Sequence, residues 1–156
     1  MLERLYIGDA ANPSNGGVAD DCKTAFPADL NNDFVLSCDF TLDADLACTI
    51  LESGNVKINY TGTALQMVKG AIIATTPLTA VAGTKYHVDG RVSATNGVDV
   101  WLDSVKGAGN ADVADAVAGA DLQIGATAAL AEHINGTIGN IVLRVGSLSD
   151  EEVING

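Results

Sequence analysis

The feature that most constrains this sequence is a period of two. In Phe34-Val-Leu-Ser-Cys-Asp-Phe-Thr-Leu-Asp43 the apolar residues fall at Phe34, Leu36, Cys38, Phe40 and Leu42, and the alternates include Ser37, Asp39, Thr41 and Asp43. Successive side chains of a strand point to opposite faces, so the stretch fits a strand with one buried face. The pattern recurs. Val56, Ile58 and Tyr60 point inward from 55–60, and Leu65 and Met67 from 63–68, with shorter candidates at 70–75 and 121–125. Tyr86, Val88, Val92 and Ala94 alternate with His87, Asp89, Arg91 and Ser93, and Val98, Val100 and Leu102 alternate with Asp99 and Asp103. Residues 137–145 read as a strand buried on both faces for much of its length.

Turn residues separate these runs. Ser53-Gly54-Asn55, Thr61-Gly62 and Asn96-Gly97 tolerate positive φ. Keeping the valines of both strands on one face predicts a three-residue loop, Thr95-Asn96-Gly97. It places Val100 opposite Val92 and Leu102 opposite Gly90, with Gly97 left-handed. Helix is scarce. Ser149-Asp-Glu-Glu152 fits a capping box and starts one short C-terminal helical turn. Residues 107–120 read as a long loop, although Val113 and Val117 have helical spacing. Together the elements specify an all-β protein, a two-sheet antiparallel jelly-roll sandwich ending in that helical turn. A chain of 156 residues makes one domain: an N-terminal arm or first strand (1–10), an irregular lead-in (11–33) and the sandwich (34–156).

Composition narrows the partners. The formal net charge of −12 argues against nucleic acid and anionic membranes, both of which recruit cationic surfaces. No apolar run reaches the ~18 residues a membrane helix needs. Residues 1–9 do not read as a signal peptide, since Glu3 interrupts them and no apolar stretch follows; the chain stays in a cytoplasm, or a signal has already been removed. Cys22, Cys38 and Cys48 form no CxxC pair and read as reduced, partly buried thiols, with a Cys38–Cys48 bridge across a hairpin left open. Asn59-Tyr-Thr61 and Asn135-Gly-Thr137 match the glycan acceptor pattern, which has meaning only with secretion.

No catalytic constellation emerges. A glycosidase needs two carboxylates across a cleft. Asp99 and Asp103 instead share a strand face roughly 13 Å apart along it. Glu52 is isolated, and seven aromatic residues make a stacking platform hard to assemble. These residues read as solvated carboxylates, and the chain as not an enzyme. Asp29-Leu-Asn31-Asn-Asp33 begins like an EF-hand loop but places Phe34 where that loop requires Gly. Asp20, Asp21, Asp43 and Asp45 offer further oxygens, so calcium is the one candidate where otherwise no cofactor or metal is expected. His87 and His133 lack ligand spacing. Trp101, whose neighbours Val100 and Leu102 point the other way, is either a surface contact or packed under a loop or on the second sheet.

Three segments, in order, carry a resemblance. They are residues 33–42; Tyr86-His-Val88 with Val98-Asp-Val-Trp-Leu-Asp103; and Leu122-Gln-Ile-Gly125 with Asn135-Gly-Thr-Ile-Gly-Asn-Ile141 and Leu148-Ser-Asp-Glu-Glu-Val153. They resemble the laminin-G-like, concanavalin A-like jelly-roll family over about residues 30–154. Trp101 replaces the family's usual Tyr, and Ser104 stands where Gly follows Asp103. The resemblance implies a scaffold used for glycan binding, protein adhesion and virion decoration, so it fixes no single function. The leading expectation is a non-enzymatic virion structural protein, a bacteriophage capsid decoration or attachment protein made in the host cytoplasm. It would dock on a larger assembly and self-associate through Leu2, Leu5, Tyr6 and Ile7 as an added strand. The alternative is a carbohydrate-binding module or lectin, with or without calcium, that uses an exposed Trp101 or Tyr60 beside Asp and Asn at a loop rim.

Overall fold

The computed structural model describes residues 3–8, 23–24, 32–118, 120–126 and 134–156. The strands in chain order are β1 (Glu3–Gly8), β2 (Lys23–Thr24), β3 (Phe34–Leu42), β4 (Cys48–Ser53), β5 (Val56–Tyr60) and β6 (Ala64–Lys69). They continue with β7 (Ile72–Pro77), β8 (Lys85–Ser93), β9 (Gly97–Leu102), β10 (Val105–Lys106), β11 (Leu122–Ile124) and β12 (Gly136–Val145), and the chain closes with helix α1 (Asp150–Ile154). Sheet A runs β1-β12-β3-β8-β9-β10 and sheet B runs β2-β11-β4-β5-β6-β7. Neighbouring strands pair antiparallel throughout. The fold is therefore the all-β, two-sheet antiparallel sandwich that the alternation specifies.

The core lies between the sheets. Phe34, Leu36, Cys38, Phe40 and Leu42 of β3 meet Val56, Ile58, Tyr60, Leu65 and Met67 of sheet B, all buried. The sheets pack tightly at Gly90, where a Cβ would stand 2.5 Å from the Met67 sulfur. A side chain there would have to displace packed core atoms. Along the side where β7 and β9 face each other, residues 107–110 stitch the layers together. Ala108 exchanges both backbone hydrogen bonds with Thr75, and Asn110 does so with Val98.

Turn chemistry refines the register. The β8–β9 turn has three residues but sits one residue earlier than expected: it is Ala94-Thr95-Asn96, with Ser93 opposite Gly97, Val100 opposite Gly90 and Leu102 opposite Val88. Each partner moves by two positions, so every side chain keeps its face. Ala94, expected inward, is exposed. Gly97 has a φ of 79°. The Ser93 hydroxyl sets the turn, accepting from the amides of Thr95 (3.3 Å) and Asn96 (3.1 Å). The β9–β10 turn is Asp103-Ser104, with φ of 47° and 68° and Leu102 opposite Val105. Positive φ at both central residues is the two-residue geometry that matches strand twist.

Three strands escape an alternation search: β4, β2 and the two-residue β10. β4 carries a register shift between Thr49 and Leu51, so Ile50 and Leu51 are both buried and the period breaks. β2 pairs with β11 inside the stretch expected to be an irregular lead-in. Of the two readings of the N-terminus, arm or first strand, the structure has the strand. Leu5 and Tyr6 lie in β1, opposite Leu143 and Val142 of β12, and Ile7 lies in the same strand. The arm is an edge strand of this chain's own sheet, because the outer edge of β12 needs a partner for its backbone groups. Leu2, Cys22, His133 and the oxygens of Asp20, Asp21 and Asp29 lie outside the described residues.

Candidate functional site

The outer face of sheet A concentrates the polar chemistry. The alternation makes Asp89, Arg91, Ser93 and Asp99 solvent-facing; all four are buried, because a second small core lies on top of them. Val35, Trp101, Leu148 and Val153 form that core beneath α1. The capping box explains why the helix starts where it does. The Ser149 hydroxyl accepts from the Glu152 amide at 3.3 Å, and the Glu152 carboxylate accepts from the Ser149 amide at 2.8 Å. That backbone bond, then the one from the Ser149 hydroxyl, holds the Glu152 carboxyl below its ordinary value.

Two buried arginines fasten this segment to the sheet. Arg144 donates to the carbonyls of Glu152 (2.8 Å) and Val153 (2.9 Å), two of the groups a helix C-terminus leaves unpaired, and pairs with Asp89 at 3.0 Å. Asp89 also accepts from the Ser37 hydroxyl at 2.5 Å. Arg91 donates to the Leu148 carbonyl (2.8 Å) and pairs with Asp99 at 2.5 Å and Asp150 at 2.8 Å. Lys106 bridges Asp99 and Asp150, and its hydrogen bond is the main reason the Asp150 carboxyl lies below its ordinary value. Arg91 and Lys106 each lie 5.0 Å from the centre of the Trp101 ring. Trp101 is 2% exposed and so offers no stacking face; it packs under the C-terminal segment. Tyr60, 1% exposed, is likewise not a rim platform, because it points into the core. Its hydroxyl ties two loops, donating to the Asp45 carboxylate and accepting from the Ala80 amide.

Beyond the helix the same face is open. A cavity of about 300 Å³ is lined by Asp39, Thr41, Lys85, Thr137, Gly139 and Asn140, with Phe40 and Ile138 at its floor. Asp39 is central. It pairs with Lys85 (2.8 Å) and the His87 Nδ1 (2.7 Å) and accepts from the Asn140 amide (2.5 Å). Burial is the largest influence on its carboxyl and pushes it up. The three donors, Lys85 first, outweigh burial and bring it down to about 2. Asn140 reaches this position through a β-bulge. Between Gly139 and Val142 the β12 register slips against β3, and Asn140 takes a φ of 50°. Ile138 before the bulge and Ile141 and Leu143 after it are all in the core, while Asn140 is exposed. Bulges and left-handed non-glycine residues cluster where a side chain is re-aimed for a purpose. The Thr41 and Thr137 hydroxyls, 2.6 Å apart, line the far wall.

His87 separates the two halves. Its Nε2 lies 3.3 Å from Asp89, and its backbone amide donates to Asp103 at 2.8 Å. The hydrogen bond to Asp89 is the largest influence on the ring. With the contact to Asp39 it overcomes burial and raises the imidazole to about 9. Asp99, read as solvated, is instead a buried ion-pair partner, whereas Asp103 is exposed as expected, in a turn where its carboxylate accepts from the His87 amide. Cys38 and Cys48 are buried thiols not joined in a disulfide, and burial pushes the Cys38 thiol far up. Among the described residues no group of three or more His, Cys, Asp or Glu is placed to hold a metal ion. Asp39, Lys85 and Asn140 were not singled out as site residues in the sequence. The available signal was Gly139-Asn140 interrupting an apolar strand, a pattern that marks bulges.

Fold and site together define a jelly-roll β-sandwich with one polar, partly covered sheet face. No protein-family model matches the chain, and no curated protein sequence matches it. Solved structures do. Domain 4 of AbnA, a GH43 extracellular arabinanase from Geobacillus stearothermophilus in complex with arabinotriose, superposes with a TM-score of 0.64 at 15% identity, over 85% of this chain and 70% of that one. A native heptameric SAP-like pentraxin from Limulus polyphemus gives 0.62 at 13%, over 98% and 73%. Trypanosoma rangeli sialidase in complex with the inhibitor DANA gives 0.63 at 23%, over 80% of this chain. This chain spans only 22% of the sialidase. At these identities the likeness is one of fold, a β-sandwich of the jelly-roll kind.

Proposed function

We propose that this chain is a non-catalytic binding module and that the open half of the outer face of sheet A takes a saccharide. The observation that carries this reading is the bulge that aims Asn140 at Asp39 over the 300 Å³ cavity. Asp39 is an ionised acceptor, Lys85 and Asn140 are donors, and Thr41 and Thr137 are both, which is the mixture that vicinal hydroxyls need. The arabinanase domain of like fold, in complex with arabinotriose, is consistent with it. A catalytic reading fits less well. A general acid needs a carboxyl raised toward neutrality, whereas Asp39 is pushed to about 2 by its partners. The virion reading would dock through residues 2–7; β1 is paired with β12 within this sheet, and the neighbours named above give that reading no support.

With no ring stacking, four or so hydrogen bonds at about 1 kcal/mol each give a dissociation constant on the order of millimolar. Amide chemical-shift titration therefore suits the test. Arabino-oligosaccharides and sialosides are the first ligands to try. Binding should perturb Asp39, Lys85 and Asn140, should weaken at least about tenfold in Asp39→Asn, and should be insensitive to chelator. Perturbations centred elsewhere, or an unaltered Asp39→Asn affinity, would defeat the proposal.

A further inference from the structure

The two halves of the face are joined by an unbroken polar chain. Asn140 donates to Asp39, Asp39 meets Nδ1 of His87, Nε2 of His87 meets Asp89, and Asp89 meets the Arg144 guanidinium that grips the carbonyls of Glu152 and Val153. Both ring nitrogens of His87 thus face carboxylates, at 2.7 Å and 3.3 Å. Only the imidazolium donates from both nitrogens; a neutral ring presents one N–H and one lone pair. We propose that His87, doubly protonated, is the positioning residue that couples the open cavity to the clamp on α1, so that losing one ring proton releases the clamp and leaves Asp39 a neutral hydrogen bond in place of an ion pair. The cavity half of this coupling rests on the saccharide reading; the clamp half does not.

The geometry says which end suffers first. Asp39 keeps Lys85 and Asn140 when the ring is neutral, and its side chain is 16% exposed to water. Asp89 is 3% exposed and keeps Ser37 and Arg144. The contact to Asp89 weighs more on the ring's acidity, but the contact to Asp39 is the shorter, at 2.7 Å against 3.3 Å, and on that geometry the remaining proton stays on Nδ1 and a lone pair is left against a buried carboxylate. A buried charge facing a lone pair is costly. Asp89 relieves it by turning from the ring, and Arg144 is pulled with it. The other charged groups around the ring are Asp103, on the His87 backbone amide, and Lys85, on Asp39; neither reaches Asp89.

Trp101 is the chain's single tryptophan and sits under α1, so it reports on the clamp directly. The experiment is acrylamide quenching of its fluorescence, with hydrogen-exchange protection of the α1 amides, from about pH 7 to about pH 10.5 and with no sugar present. In the wild-type chain quenching should rise several-fold with a midpoint near the His87 value of about 9, and α1 protection should fall about tenfold. His87→Gln, which cannot donate to both carboxylates from opposite sides, should already behave at pH 7 like the wild type at high pH and show no step. A flat wild-type profile, or the same step in His87→Gln, would overturn the proposal. Should that variant fold poorly, ¹⁵N shifts of the wild-type ring decide: a neutral ring at pH 7 overturns the coupling. A saccharide titration on either side of the step tests the cavity half. Affinity constant across the step would detach the cavity from the clamp. A missing saccharide signal at pH 7 would sink the function proposed above and leave the quenching step standing.

Discussion

In the covered half of sheet A's outer face, Arg144, Arg91 and Asp89 are buried; the two arginines donate to backbone carbonyls of the C-terminal segment, and Asp89 pairs with Arg144. In the open half, Lys85 and His87 continue the row of β8 that carries Asp89 and Arg91, and Asp39 lies opposite His87 on β3, yet the Lys85 side chain is 64% exposed and His87 42%. Residue types are nearly the same; the lid differs. Under α1 the ions lie in a low dielectric and must be fully paired, so they act as structure. Past the end of α1 the same chemistry meets water and a cavity, where it is available to a ligand. The comparison teaches that a polar strand face is not a function until something decides which part of it stays wet.

The largest break in that contrast should come from Arg144→Met. It strands the buried Asp89 and two helix carbonyls, and urea unfolding should show a loss of about 3–5 kcal/mol. Trp101→Ala empties the small core under α1 and should cost about 3 kcal/mol while leaving the saccharide titration unchanged, since the ring does not line the cavity. A variant that lost sugar binding in proportion to stability would erase the distinction between the halves. Ser149→Ala removes the cap and should cost about 1 kcal/mol. Asn140→Gly sharpens the contrast from the other side. It keeps the left-handed backbone, so stability should change by less than about 0.5 kcal/mol, but saccharide affinity should fall at least about tenfold.

Acidity separates the halves as well. Asp39 is lowered in the folded state, so its stabilising contribution is present above its ordinary value of 3.8 and is lost as pH falls toward about 2. His87 is raised, so its contribution is complete below its ordinary 6.5 and is lost as pH rises through about 9. Stability curves for Asp39→Asn should therefore diverge from wild type above pH 3.8 and converge near pH 2, by an amount reduced by water at this partly exposed site.

Much of this was legible in order along the chain. Phe34 to Leu42 announced β3, and Ser149 with Glu152 announced the helix start, because alternation and capping are local. The β8–β9 turn was right in length and wrong by one position, since a hydroxyl at Ser93 chose among registers that the valines could not distinguish. β4 was hidden by its bulge.

What the sequence by itself determined was the sandwich: a period of two, repeated between turn residues, leaves the apolar faces no other way to escape water. What only the tertiary structure decided was the fate of the other face. Asp39, His87 and Asn140 are separated by 48 and 101 residues from their partners, and strand pairing alone brings them together. Whether Arg91 and Trp101 would meet solvent depended on where five residues of helix came to rest, and burial depends on the whole fold in a way that no run of neighbouring residues encodes.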